Sequence, residues 1–148
     1  MNYWEGAEVG YRWFDRTMQA PLFAFGHGLS YTNFAYSGFS AHISAGVHLS
    51  AKVKNIGDRS GGDVVQFYLT KRNGENLKRL VGFERVELLS GEEKAVEVKV
   101  DPRLLANFDT ARNKWVIPAG EYIFSIAYAS DQLAESQLVA LPSSELAP

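Results

Sequence analysis

The chain has 148 residues, 46% of them hydrophobic and 13% aromatic, enough for one domain that buries roughly 70% of its unfolded surface. A formal net charge of -2 gives none of the basic excess that a nucleic-acid backbone demands, and the absence of cysteine excludes disulfides, thiolate nucleophiles and cysteine zinc sites. No apolar run is long enough to cross a bilayer, and Met1 to Glu5 lacks the basic-then-apolar pattern of a secretory signal, so neither nucleic acid nor membrane is expected as a partner and the compartment stays undetermined.

The first thirty residues do not share the period-two strand pattern that begins near Phe34. Tyr3, Trp4, Tyr11, Trp13, Phe14, Phe23 and Phe25 crowd a glycine-rich stretch that runs through Pro21 into the Gly26-His27-Gly28 loop. So much apolar surface needs a partner. Residues 1–33 are therefore read as a leader that docks against something outside the chain or wraps round the remaining residues.

From Phe34 onward apolar residues recur at every second position, the pattern of a strand with one face buried. Val47, Leu49, Ala51 and Val53 alternate with His48, Ser50, Lys52 and Lys54 until the turn at Asn55-Ile56-Gly57-Asp58. Asp63 to Thr70 repeats the pattern, with Val65, Phe67 and Leu69 inward and Gln66 and Tyr68 on the other side. Asn73-Gly74 suits the positive backbone dihedrals of a tight hairpin turn. Leu80 to Leu89 and the alternating Val96, Val98 and Val100 are two more strands. Asp101 caps Pro102, which predicts a helical turn over Arg103 to Phe108. Lys114 to Ile117, then Tyr122 to Ala129 with Tyr122, Phe124, Ile126 and Tyr128 on one face, then Leu138, Ala140 and Leu141 complete about seven strands. That spacing predicts an all-β, immunoglobulin-like two-sheet sandwich over residues 34–148. Tyr122, after Pro118-Ala119-Gly120-Glu121, fits a tyrosine corner.

Catalytic constellations are sparse. Glu5 and Glu8 are not fixed opposite one another as glycosidase carboxylates must be, and Asp58 and Glu92-Glu93 belong to turns. His27, His42 and His48 lack metal-ligand spacing, and no carboxylate cluster accompanies them in sequence, so no metal site is assigned. His27 stands out because its flanking glycines let the backbone approach a neighbour. Ser30 and Ser37 have no nucleophile elbow. Lys71-Arg72 and Lys78-Arg79 flank a hairpin tip, where charge protects an edge. Tyr68, Trp115 and Tyr128 are candidates for a sugar-stacking platform, with packing an equal reading.

Taken together, several segments resemble the C-terminal part of glycoside hydrolase family 3 enzymes, chiefly β-glucosidases, which end in a fibronectin type III-like domain. Tyr3 to Asp15 is similar to the family's signature at the exit from its α/β domain, and Pro21 to Thr32 to its linker, with Ala24 departing from the usual second proline. Val64 to Leu69, Leu80 to Val86 with Gly91-Glu92, and Trp115 to Tyr122 occur in the family's order. The resemblance implies a non-catalytic accessory domain that stabilises a parent β-glucosidase by packing against its barrel and α/β domains. It places the family's catalytic carboxylates in those other domains. Ser130-Asp131-Gln132 does not match the nucleophile motif, so no catalytic residue and no cofactor carries over. It also makes Phe25, His27 and Tyr31 candidates for a domain interface or cleft rim. The alternatives are a carbohydrate-binding module and a generic fibronectin-type partner-binding module.

Overall fold

The computed structural model describes residues 9–28 and 30–146. Two antiparallel sheets face one another. The first joins β1 (Phe34–Ile43), β2 (Val47–Asn55) and β5 (Glu93–Lys99) in the order β1-β2-β5. The second joins β3 (Gly61–Arg72), β4 (Glu75–Leu88), β8 (Gly120–Ala129) and β9 (Gln132–Leu141) in the order β4-β3-β8-β9. A small third sheet, ordered β10-β7-β6, is made of β6 (Asn107–Asp109), β7 (Lys114–Ile117) and β10 (Ser144–Leu146). The all-β sandwich expected from the period-two pattern is the fold that forms.

The core lies between the two large sheets because their inward residues are the apolar half of each alternation. Val47, Leu49, Ala51 and Val53 meet Val65, Phe67, Leu69, Phe124 and Ile126, all buried. Phe39 of β1 reaches Phe67 across the gap with ring centroids 6.0 Å apart. Asn73 and Gly74, with φ of 50° and 80°, turn β3 into β4 as their sequence requires. Tyr122 makes the tyrosine corner, its hydroxyl donating to the Pro118 carbonyl at 2.7 Å.

Asn55 fastens the end of β2 to its surroundings. Fully buried, it accepts from the Thr32 hydroxyl at 2.7 Å and the Gly57 amide at 3.1 Å. It donates to the carbonyls of Arg59 at 2.7 Å and Leu88 at 3.1 Å. One side chain thereby ties the leader's last residues, the β2–β3 turn and the end of β4.

Two local expectations fail, each for a physical reason. The helical turn after Asp101 spans only Pro102–Leu104, because the chain re-enters a strand at Asn107, where Phe108 packs edge-on against Trp115 with centroids 5.2 Å apart. Tyr128 does not continue the inward row of Tyr122, Phe124 and Ile126. Irregularities in the β8–β9 register around Ala127 shift the phase, so Ala127 and Ala129 are buried while Tyr128 is partly exposed. In β9 it is Val139 and Leu141 that face the core, whereas Leu138 points to solvent.

Truncating Phe124 to Ala should cost about 3–5 kcal/mol through lost burial and a residual cavity. Phe83→Ala, at a position 63% exposed, should stay within about 0.5 kcal/mol. Urea unfolding midpoints of the two variants check both values.

Candidate functional site

The outer face of β3 distinguishes this sandwich from a bare module. Gln66 and Tyr68 point away from the core, yet both are buried, Tyr68 completely. The leader covers them. Helix α1 (Tyr11–Thr17) lies against β4: Lys78 pairs with Asp15 at 2.7 Å, and the Leu80 amide donates to the Tyr11 hydroxyl at 2.9 Å. Tyr11 meets Tyr68 edge-on at 6.1 Å and stacks on Phe25 at 5.1 Å. The Tyr68 hydroxyl donates to Gln66 at 2.7 Å, and the Gln66 amide donates to the carbonyls of Tyr128 at 3.2 Å and Gly26 at 3.4 Å. The Ser130 amide donates to the Phe25 carbonyl at 2.9 Å. The described part of the leader therefore wraps the sandwich.

Its other side is bare. Met18, Leu22, Phe23 and Tyr31 are 94%, 96%, 73% and 90% exposed. These apolar side chains are carried on a segment whose inner side is anchored.

Of the residues expected at an interface or rim, Phe25 is half exposed and its ring stacks on Tyr11. His27 stacks on Phe23 with centroids 5.5 Å apart. His27 and Tyr31 line an open cleft of about 760 Å³, together with Asp63, Arg85, Glu87 and Tyr128; Phe25 is not part of its wall. Beside it, Tyr36 stacks on Tyr128 at 4.2 Å and donates its hydroxyl to Asp63 at 2.6 Å. Burial, reinforced by the Asp63 carboxylate, pushes the Tyr36 phenol far above its ordinary value, and burial likewise raises Tyr68 and Tyr122. Of the described residues that line the cleft, Ser30 accepts from the Thr32 amide at 3.4 Å, and no hydrogen bond joins it to His27. Glu5 and Glu8 lie outside the described residues.

Two readings from sequence need correction. Tyr68 is buried and so cannot stack on a sugar, while Trp115 packs on Phe108 and Tyr128 on Tyr36, so these three make no shared platform. The histidines do not all lack a carboxylate partner. The β1–β2 register sets His42 opposite His48, and Glu97 of β5 reaches His48 Nδ1 at 2.9 Å. Linear spacing misses this because the partners come from three strands; pairing the two hairpin arms across Ser44-Ala45-Gly46 is the signal that finds the first two.

Comparison with known proteins places this geometry. The family model of the fibronectin type III-like domain matches residues 63–130, from β3 to the end of β8. The chain is 38% identical to thermostable β-glucosidase B of Acetivibrio thermocellus over 97% of its own length and 20% of that protein's. It is 36% identical to β-glucosidase BoGH3A of Bacteroides ovatus, over 89% of the chain and 19% of the relative. Among solved structures, β-glucosidase 3B from Thermotoga neapolitana in complex with α-D-glucose superimposes with a TM-score of 0.89 at 30% identity, covering 99% of this chain and 21% of that one. The β-glucosidase DesR from Streptomyces venezuelae, in complex with D-glucose, gives 0.85 at 39% identity over 93% and 18%. The chain thus spans about a fifth of the length of the curated relatives it matches.

Two measurements test the leader and the cleft. Gly26 has φ of 81°, and a Cβ there would run into the Gln66 amide. Gly26→Ala should cost about 1–3 kcal/mol and loosen the leader, read as altered tryptophan fluorescence before global unfolding in urea. Gly28→Ala, with open space around it, should change neither. The raised phenols set a pH dependence. Above about pH 10 the unfolded chain releases protons that the folded chain keeps, so stability is full below that pH and falls as pH rises. Tyr36→Phe should make this alkaline decline shallower, by up to about 1.4 kcal/mol per pH unit, in urea titrations at stepwise pH.

Proposed function

We infer, from the premise that this chain belongs with the C-terminal fibronectin type III-like domains of glycoside hydrolase family 3 enzymes, that it is a non-catalytic accessory domain of a β-glucosidase. The parent hydrolyses O-glycosyl bonds and releases terminal β-D-glucosyl residues, as the names of the relatives suggest. In this reading residues 1–33 lead out of a preceding α/β domain and residues 34–148 form the sandwich.

One observation carries the proposal: the leader is fixed on its inner side by Tyr11, Phe25 and Asp15, while Leu22, Phe23 and Tyr31 remain largely exposed. Burying apolar area of that kind is worth roughly 25 cal/mol per Å², so a neighbouring barrel or α/β domain that covered it would be stabilised by the contact. Anchoring matters because the backbone that carries these side chains is held before it meets a partner. Little further conformational entropy is then lost on docking. His27 and Tyr31 sit where the leader meets the cleft, which suits a place at the edge of a domain junction. Catalysis belongs to the parent's other domains.

The role is testable by exchange. In thermostable β-glucosidase B of Acetivibrio thermocellus, replacing the matching segment with this chain should restore soluble, active enzyme relative to a truncated form lacking the segment. A chimera no better than the truncation overturns the accessory role. By itself the chain should release no nitrophenol from an aryl β-glucoside above the blank, and turnover by a contaminant-free sample would overturn its assignment as non-catalytic.

A further inference from the structure

The outer face of the β1-β2-β5 sheet carries a second feature, unrelated to the leader. His42 and His48 are cross-strand partners, their rings stacked with centroids 5.3 Å apart and planes 17° from parallel. Glu97 sits diagonally across from His48, since β2 pairs Ser50 with Glu97 and His48 with Lys99. One ligand atom from each of the three side chains lies within 4.8 Å of the others, and the His48–Glu97 contact is already 2.9 Å. Two ligands of a tetrahedral zinc ion, each about 2.0–2.1 Å from the metal, lie roughly 3.3–3.4 Å apart, so small side-chain rotations bring all three onto one ion.

We propose that His42, His48 and Glu97 form a three-ligand site for a borderline divalent transition-metal ion of the zinc class, with water completing the coordination, that clips β1 and β5 to β2. An ordinary hydrogen-bonded pair accounts for His48 and Glu97 but leaves His42 unexplained: among the described residues its ring makes no hydrogen bond, only the stack. Two imidazoles and one carboxylate are the donor set that suits zinc, copper or nickel, whereas magnesium and calcium want oxygen alone. The surrounding face does not obstruct the site. Ser40 and Ser50 bond to one another at 2.9 Å, Lys52 engages Glu93 at 3.6 Å, and Lys99 lays its chain beside Gly46 in the hairpin turn. Each ligand comes from a different strand, so a bound ion cross-links the sheet and favours the folded chain by mass action.

Calorimetric titration of the tag-free chain with zinc chloride tests this, with magnesium chloride as the contrast. One zinc ion per chain is expected and no magnesium. His42→Ala, His48→Ala and Glu97→Gln should each weaken zinc binding by about tenfold or more, because loss of even an outer-shell partner costs that much. His27→Ala should bind as the parent chain does. In parallel, the imidazole C–H resonances of His42 and His48 in the unsubstituted chain should move on zinc addition while those of His27 stay, a readout that needs no variant to fold. Absence of zinc binding overturns the site. So does undiminished binding by the His42→Ala, His48→Ala double variant, or zinc-dependent shifts confined to His27.

Discussion

The structure depends on the burial of both faces of β3. Its inner row, Val65, Phe67 and Leu69, is sealed by the opposing sheet, and its outer pair, Gln66 and Tyr68, is covered by the leader. A buried amide and phenol are costly unless bonded, and here they satisfy each other and two carbonyls, one of them Gly26 in the leader itself. The leader cannot leave without stranding these polar groups and baring the Tyr68 ring. Hence a segment with almost no regular structure behaves as part of the sandwich, and its position fixes which aromatics face outward.

Asn55 makes the same connection from the other end. The leader's last turn would be a free hinge if only the α1 contacts held it, but Thr32 donates to the side-chain oxygen of the buried Asn55 at the end of β2. The leader is thus fastened near Tyr11 to β4, near Phe25 to the Ser130 turn, and at Thr32 to β2. Between those points the chain passes over the outside of β3, and Leu22 and Phe23 are exposed along that path.

Much of this is legible in the residues and some cannot be. Alternation identifies which side chains share a face, so β2, the inner row of β3, the Asn73-Gly74 turn and the Tyr122 corner are all readable. It is silent on what covers the second face. Tyr68 looks like a surface aromatic because a strand pattern treats the outward side as solvent, and only the placement of Tyr11 and Phe25 shows otherwise. Register defects are equally hidden: nothing in Ile126-Ala127-Tyr128-Ala129 announces the irregularity that rotates Tyr128 out of the core row and onto Tyr36. The His42–His48–Glu97 cluster escapes a linear reading for a related reason. Metal-ligand motifs are learned as short spacings on one element, whereas a sheet assembles ligands from residues six and forty-nine positions away from His48.

The two surfaces left over from folding are kept apart by the sandwich itself. The leader and its exposed aromatics lie on the β4-β3-β8-β9 sheet, and the histidine pair lies on the outward face of β1-β2-β5. Between them stand two layers of close-packed side chains in which Phe39 meets Phe67, a medium that transmits strain but leaves no room for a side chain to reach through. A partner that covered Leu22 and Phe23 would sit on the sheet opposite His42 and Glu97, and an ion that bridged β1, β2 and β5 would stiffen only the latter sheet. The two features are additive in stability and independent in occupancy, as expected for sites that share no partner residue.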